Sequence, residues 1–512
     1  MFSSGERSSK TECGPCGRRR EEEKPVRITI DRDSSIPIYS QIEAEIKKTI
    51  LNNVLVYGTR LPSERQQAAN LGVHRNTVIR AYKNLADQQF ISSDFEGRKG
   101  YFVIFGGRES QSPPPKEYSA VFRYSRDVSR YAAIFDQIYS ASFSEEYISF
   151  GGHVLPKELI PLKEIKEVLF SVVERRGVDA FFHCSSTGSL ELRQEISRSL
   201  LEEGILAMPG KIVIINEAVQ GLDIVSKLLA AKHDYVISEA PIMPDTFTNF
   251  QNQGLRVLTA PLEKDGVNLV ELENLFRQYR PKFFHTMPDY HAVTGACMSL
   301  EKRYALLELT RRYDVPLVEE RWHADICFTD EVLPSLYALD RRENVICIDS
   351  ALTYFYYGAR ICYLLAPADM AKRIARIIST SLIHLPSLEQ TMFAEYLDRG
   401  YHIQQRRNMI CFYREKCRRL YEALLPLKAL GLSAGRPQGG LGLWCRLPNG
   451  VNDMRLYKSL RNQGVLISPG KLFYPYGTGD GSFMRLSFSN ISDEKMKTGV
   501  EIIHGELRRQ LG

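Results

Sequence analysis

The chain has 512 residues, of which 44% are hydrophobic and 25% are charged, and its formal net charge is +6. This size and composition are typical of a soluble protein with two or more globular domains. No apolar run approaches the roughly 18–20 residues that cross a bilayer, and the first residues lack the apolar segment of a secretory signal. Ten cysteines are too dispersed for a disulfide framework. We therefore expect no membrane partner and a cytoplasmic location.

Composition divides the chain into four predicted segments. Residues 1–33 carry blocks of like charge and few apolar residues, which predicts a disordered tail. Residues 34–104 are regularly patterned and predict a small compact domain. Residues 105–145 contain three consecutive prolines, which are incompatible with a helix, and predict a linker. Residues 146–512 predict a large second domain.

The small domain has the pattern of a helix-turn-helix. Isoleucine recurs every four residues from Ile38 to Ile50, which predicts an amphipathic first helix. Ser63 has the residue type and position of an N-cap for a second helix, which is predicted to end near Gly72. A third helix is predicted to begin at His74. Two short helices joined by a tight glycine turn are typical of DNA-binding proteins, in which the later helix enters the major groove.

Two short apolar runs at 90–92 and 101–103, joined by a polar turn, predict a hairpin wing. The stretch LPSERQQAANLGVHRNTVIRAYKNLADQQFI, followed by GRKGYFV, resembles the winged helix-turn-helix domain of GntR-type bacterial regulators. The resemblance implies binding to double-stranded operator DNA and an association with the bacterial nucleoid.

The resemblance also implies which residues contact DNA. Base-edge and phosphate contacts are expected from Arg65, Arg75 and Thr77, and Gly100 is expected to approach the minor groove. His74 stands where the family usually has serine. The full predicted set is Ser63, Arg65, His74, Arg75, Asn76, Thr77, Arg80, Arg98, Lys99 and Gly100. The alternative is that its basic members are simply solvated surface charges.

From Ile148 onward, short apolar runs alternate with amphipathic helical stretches. Strands alternating with helices predict βαβ units and a mostly parallel sheet, hence an α/β domain. The apolar runs are Ile212–Ile215, Tyr235–Ser238, Arg256–Thr259, Phe283–Thr286, Pro316–Glu319, Val345–Ile348 and Arg360–Leu365.

Several motifs in this region are similar to the aminotransferase-like domain of the MocR subfamily, which has fold type I of the pyridoxal-phosphate (PLP) enzymes. They are Gly188 to Arg193, the strand-to-helix turn Val213–Leu222, Glu239-Ala240-Pro241 and Pro288 to Gly295. The resemblance implies a head-to-tail, domain-swapped homodimer. It also implies that the backbone N–H groups of Ala218 and Val219 bind a phosphate at a helix N-terminus.

The residue that would bind PLP covalently is missing from this pattern. The family has a lysine seven residues before an arginine; here the arginine is Arg360 and the lysine position is Thr353. No lysine occurs between Lys302 and Lys372. Because a hydroxyl cannot form an imine with an aldehyde, we expect no covalent cofactor and no enzymatic activity of this type. Non-covalent binding of pyridoxal phosphate remains open.

Other pocket positions have changed as well. Glu320 could still pair with a pyridine nitrogen, Trp322 replaces a tyrosine, Met243 replaces a stacking aromatic residue, and Ala292 replaces an asparagine. Arg360 and Arg485 are candidates for binding an anion, with a structural salt bridge as the alternative for each. His291 lies near a predicted strand end. The predicted ligand pocket comprises Ala218, Val219, Met243, His291, Glu320, Trp322, Thr353, Arg360 and Arg485; no metal site is predicted.

These observations predict a DNA-binding transcription regulator whose degenerate aminotransferase-like domain dimerises and senses a small anionic effector. The alternative is a PLP-dependent aminotransferase with an attached DNA-binding module. A third possibility is a regulator without a ligand, whose large domain only dimerises. Cys13 and Cys16 have the spacing of a redox pair, but they lie in the predicted tail without a βαβ context.

Overall fold

The computed structural model describes two compact units, which divide between Ser125 and Arg126. Most of the predicted tail with Cys13 and Cys16, most of the predicted linker, and Thr353 lie outside the described residues. The predicted tail is wrong at its end, where Ile28 and Ile30 pack against the core of the small unit and Arg32 donates to the carbonyl of Gly72 at 2.9 Å. None of the described helices is long and apolar enough to cross a membrane. The described residues are 28, 30–32, 34, 36–51, 55, 57–95, 97–105, 130–144, 146–152, 156–329, 332–350, 355–381, 385–474 and 481–512.

The small unit is a winged helix-turn-helix, as predicted. Its helices are α1 (Ile38–Leu51), α2 (Glu64–Leu71) and α3 (Arg75–Asp87). The wing is an antiparallel hairpin of β1 (Ile91–Phe95) and β2 (Arg98–Val103), in which Ile91 pairs with Val103.

Local sequence explains these element boundaries. The Ser63 side chain accepts a hydrogen bond from the backbone N–H of Gln66, which confirms it as the N-cap of α2. Gly72 ends α2 in the left-handed conformation at φ 61°, where glycine carries no steric penalty. On α1, Ile42 and Ile46 are fully buried and pack in one core with apolar residues of α3.

The large unit is built on a sheet with eight strands among its described residues. The strands lie in the order β5-β12-β11-β10-β9-β6-β7-β8, and every apolar run predicted from the sequence is one of them. Neighbours from β11 to β7 are parallel, whereas β12 is antiparallel to both β11 and β5. The bounds are β5 Ile212–Ile215, β6 Tyr235–Ala240, β7 Arg256–Glu263, β8 Gly266–Val267, β9 Phe284–Thr286, β10 Leu317–Glu320, β11 Val345–Ser350 and β12 Cys362–Leu365.

Helices cover both faces of this sheet. Alternate residues of β5 belong to different apolar clusters: Ile212 and Ile214 to one, Val213 and Ile215 to another. A strand buried on both faces reads as a continuous apolar run, as β5 does. The helices are α4 Arg130–Ala141, α5 Leu162–Arg176, α6 Leu190–Glu202, α7 Ala218–Leu229, α8 Pro244–Asn252, α9 Leu269–Tyr279, α10 Leu300–Arg312, α11 Leu336–Leu339, α12 Ala368–Ser381, α13 Leu388–Asp398, α14 Tyr401–Leu424, α15 Asp453–Asn462 and α16 Asp493–Leu511.

The carboxyl-terminal part carries a smaller antiparallel sheet in the order β14-β15-β18-β17. Two short pairs, β3 with β16 and β4 with β13, complete the described strands. The bounds are β3 Ile148–Ser149, β4 His183–Cys184, β13 Leu385–Pro386, β14 Ser433–Ala434, β15 Gly442–Arg446, β16 Val465–Leu466, β17 Ser468–Pro469 and β18 Phe483–Ser487.

One part of the predicted linker is wrong. Residues 130–141 form α4, which belongs to the large unit. Ile138 of this helix is 1% exposed, and the ring of Phe135 lies 6.1 Å from that of Phe473. Packing against a distant part of the chain therefore stabilises a helix where the local sequence predicted irregular structure.

Candidate functional site

The first turn of α3 presents polar side chains to solvent. His74, Arg75 and Asn76 are exposed, while Val78 and Tyr82 on the opposite side of the helix are completely buried. The structure thus brings together four of the ten predicted DNA-binding residues, His74 to Thr77, at one helix end. A helix with its apolar side fixed in the core and its first turn free is suited to entering a major groove.

Glu64, the first residue of α2, organises this surface, although it was not among the predicted DNA-binding residues. Its carboxylate accepts a hydrogen bond from Arg75 Nη2 at 2.9 Å and another from the hydroxyl of Tyr101 at 3.2 Å. These contacts join α2, the start of α3 and the wing. Arg75 is 47% exposed, so its guanidinium is oriented by Glu64 and still accessible.

Some predicted DNA contacts have local partners within the unit. The Nδ1 atom of His74 accepts a hydrogen bond from the backbone N–H of Asn76, so His74 caps α3. The guanidinium of Arg80 lies 3.9 Å from the ring centroid of Tyr39, which makes a cation–π contact with α1. Arg80 is therefore oriented toward α1, although it was predicted as part of the DNA surface.

One basic residue beside the wing was not among the predicted DNA contacts. Arg60 is exposed and forms an isolated bridge with Phe102 of β2. Gly100 adopts φ 138°, and a Cβ added there would lie 3.3 Å from Arg60 Nε. A side chain at position 100 would thus crowd Arg60. Lys99 is exposed as predicted; of Arg98, the structure describes only the backbone.

In the large unit, a cavity of about 720 Å³ opens where three sheet strands end. Val219 follows β5, Met243 follows β6 and Trp322 follows β10, and all three predicted pocket residues line it. Ligands commonly bind at the carboxyl ends of strands in open α/β sheets. The described residues that line it are Ala133, Phe135, Asp136, Gln137, Tyr139, Glu217, Val219, Met243, Pro244, Asp245, Thr248, Asn249, Asn252 and Trp322.

The predicted anion-binding arginine is paired within the chain. Arg360 Nη1 lies 2.6 Å from the Oε2 atom of Glu217, which immediately precedes α7 and lines the cavity. A carboxylate of the chain thus binds Arg360, as expected for the alternative of a structural salt bridge. A phosphate-binding role for Arg360 stays a prediction.

Glu320, His285 and Ser238 form a buried chain of hydrogen bonds. His285 Nε2 lies 3.0 Å from Glu320 Oε2, and His285 Nδ1 lies 2.9 Å from Ser238 Oγ. Glu320 does not itself line the cavity. Its carboxylate is held by the protein near the strand end.

Arg485 and His291 are buried outside the cavity lining. Arg485 is 1% exposed, its Nε donates to the carbonyl of Ala292 at 3.0 Å, and burial lowers its pKa to about 9. His291 Nδ1 lies 3.1 Å from Thr294 Oγ1. Burial, with the nearby His285, His323 and Arg485, lowers the pKa of His291 to about 3, so its imidazole is neutral. His291 is therefore buried and is not among the residues that line this cavity, and its pocket role stays a prediction.

The charges of the described residues at the start of α7 disfavour a phosphate such as that of pyridoxal phosphate. Ala218 begins α7, where backbone N–H groups could bind a phosphate, but it offers no hydroxyl, and the carboxylate of Glu217 would repel the dianion at that helix end. Arg360, which could neutralise a phosphate, is bound to Glu217 instead. Among the residues that the structure describes, no cluster of three metal-ligating side chains occurs either.

Fold and site together define a GntR-type winged-helix domain joined to a domain with the PLP-dependent aminotransferase fold type I. The chain belongs to the aminotransferase class I and II family, which matches residues 156–503. Residues 38–103 match the gntR family of bacterial regulatory proteins.

The chain is similar both to transcription regulators and to an aminotransferase. The uncharacterized HTH-type transcriptional regulator YisV of Bacillus subtilis is 26% identical, over 93% of this chain and 97% of its own. The probable rhizopine catabolism regulatory protein MocR of Rhizobium meliloti is 25% identical, over 92% and 94%. The crystal structure of LysN, the alpha-aminoadipate aminotransferase of Thermus thermophilus, has a TM-score of 0.69 at 25% identity and covers 77% of this chain and 99% of LysN.

Proposed function

We propose that this protein is a sequence-specific DNA-binding transcription regulator. The observation that carries the proposal is the first turn of α3, where His74, Arg75 and Asn76 are exposed above a buried helix face. The gntR match covers residues 38–103 of this unit, and the regulators YisV and MocR are similar to this chain over 93% and 92% of its length. Phosphate contacts would set the affinity, and contacts to base edges would set the sequence preference.

The aminotransferase-like domain, in this proposal, dimerises and binds a small effector without covalent PLP chemistry. The absence of lysine between Lys302 and Lys372 supports the lack of a covalent cofactor, since an imine requires an amine. The resemblance to MocR-type regulators supports a head-to-tail homodimer. Effector binding would change DNA affinity only if the effector prefers one arrangement of the protein over another.

The second candidate is an aminotransferase, since a 2-aminoadipate transaminase of Thermus thermophilus is 27% identical over 69% of this chain. The pairing of Arg360 with Glu217 argues against it. Incubating the full chain with PLP, 2-aminoadipate and a keto acid acceptor would test it. We expect no turnover; any turnover above that of heat-denatured protein would favour the enzyme.

The DNA-binding proposal is tested by selecting duplexes from a random pool with the full chain, and by repeating the selection with Arg75→Ala. The matched control is Lys48→Ala, which removes an exposed basic residue of α1 that is 67% exposed. We expect the wild type and the control to enrich the same sequence and Arg75→Ala to lose that enrichment. Enrichment of the same sequence by Arg75→Ala would refute the role of α3.

A further inference from the structure

The cavity of the large unit has a polar wall that is rich in hydrogen-bond acceptors. On α8, Asp245, Thr248, Asn249 and Asn252 line the cavity with the spacing of one helix face. Asn249 Nδ2 donates to the carbonyl of Val219 at 3.4 Å, which leaves its Oδ1 as the acceptor. That oxygen is buried and accepts no hydrogen bond within the described part of the chain.

The charges of this wall have one sign. Asp136, Glu217 and Asp245 line the cavity, and no lysine or arginine does so among the described residues. Arg360 balances Glu217 from outside the lining, whereas Asp136 and Asp245 form no ion pair with another described residue. Desolvation, together with the carboxylates of Glu320 and Glu217, raises the pKa of Asp245 to about 6. The local potential is therefore negative.

The remaining wall is apolar and aromatic. Phe135 and Tyr139 of α4 contribute to one side, and Met243 and Trp322 follow the ends of β6 and β10. Aromatic faces attract cations through their quadrupole, and they also bury the apolar body of a ligand. The cavity volume of about 720 Å³ is in the range of small-molecule sites.

We propose that this cavity binds a small organic cation, a protonated amine carried on an aromatic or apolar body, in place of a phosphate-bearing or carboxylate ligand. The inference rests on the proposed effector role of the large domain and replaces the anionic effector expected from the sequence. An ammonium group has three donors and no acceptor, which matches the Asp245 carboxylate and the Asn249 oxygen. Glu217 also disfavours a phosphate ligand, because its carboxylate pairs with Arg360 and lies at the start of α7.

The test is calorimetric titration of the full chain with three probes of similar shape: 2-phenylethylammonium, the neutral 2-phenylethanol and the anionic phenylacetate. Inorganic phosphate is the fourth probe. We expect saturable binding of the ammonium, and at least about tenfold weaker binding of the other three, as expected when a charge-assisted hydrogen bond is lost. Stronger binding of phenylacetate or phosphate, or no binding of the ammonium in the millimolar range, overturns the proposal.

Two variants connect that binding to the cavity. Asp245→Asn should weaken ammonium binding at least about tenfold, whereas Asp369→Asn, at a carboxylate 94% exposed on α12, should leave it unchanged. Glu217→Gln should weaken ammonium binding and strengthen phosphate binding. Stronger phosphate binding cannot result from misfolding of the variant. Equal ammonium binding by all variants would overturn the proposal. Duplex binding measured without any probe does not depend on the cavity ligand. A failure of the proposed regulator function would therefore be seen in that measurement, separately from a failure of the cation proposal.

Discussion

Replacing Asp245 by asparagine should stabilise the large unit in a pH-dependent way. The pKa of Asp245 is raised from 3.8 to about 6, first by desolvation and further by the nearby Glu320 and Glu217. Because the folded protein holds this proton more tightly than the unfolded chain, the stability of the wild type falls as pH rises from about 4 to about 6. Asparagine carries no charge, and it can keep the hydrogen bond from the N–H of Thr246.

The size of the effect follows from the pKa difference. A shift of about two units corresponds to at most about 3 kcal/mol at pH 7.5 and about 1 kcal/mol at pH 4.5. Since Asp245 is partly exposed, solvent screening reduces both values, and we expect the difference between the two pH values to be about 1–2 kcal/mol. For a unit of this length that corresponds to a relative rise of about 1–3 °C in the unfolding midpoint.

Scanning calorimetry of the wild type and Asp245→Asn at pH 4.5 and 7.5 measures this difference, with Asp369→Asn as the control for a fully solvated carboxylate. The variant should gain midpoint temperature relative to the wild type at pH 7.5 and gain less at pH 4.5. An equal difference at both pH values, or a variant less stable at pH 7.5, would refute the negative potential assigned to the cavity.

Three further changes have expected outcomes. Arg75→Ala should weaken binding to the selected duplex by roughly 1–3 kcal/mol. Its unfolding midpoint should stay close to that of the wild type, because the ion pair of Arg75 with Glu64 is partly exposed. Fluorescence anisotropy at several salt concentrations measures the affinity, and an unchanged affinity contradicts the prediction. Gly188→Ala should lower the unfolding midpoint of the large unit, because a Cβ there lies 2.2 Å from Ile214 Cγ1; an unchanged midpoint contradicts that packing. Ile46→Ala should destabilise the small unit by about 2–5 kcal/mol, seen as loss of duplex binding on mild heating; retained binding contradicts the assignment of Ile46 to its core.

Local signals in the sequence explain why the small unit was predicted well. The isoleucine spacing of α1, the Ser63 cap and the Gly72 turn each act within a few residues. The α7 strand-to-helix turn and the parallel strands were predicted for the same reason, since buried strands are continuous apolar runs. The fold class could therefore be predicted from patterns that are each contained in one short segment of the sequence.

The parts that sequence reasoning missed depend on contacts between distant residues. Arg360 and Glu217 lie 143 residues apart, so their pairing is decided by the sheet, which brings β5 and β12 side by side. Phe135 of α4 packs on Phe473, far along the chain. Glu64 and Tyr101 are separated by 37 residues. Neither local periodicity nor residue type indicates such partners before the fold is known.

The specificity ratio of DNA binding tests the central claim most directly. The affinity of the full chain for the selected duplex is compared by fluorescence anisotropy with its affinity for an unrelated duplex of equal length, at physiological salt. A sequence-specific regulator should prefer the selected duplex by about 10³-fold or more. Equal affinities for the two duplexes would contradict the account, since they would mean that the exposed turn of α3 reads no base sequence.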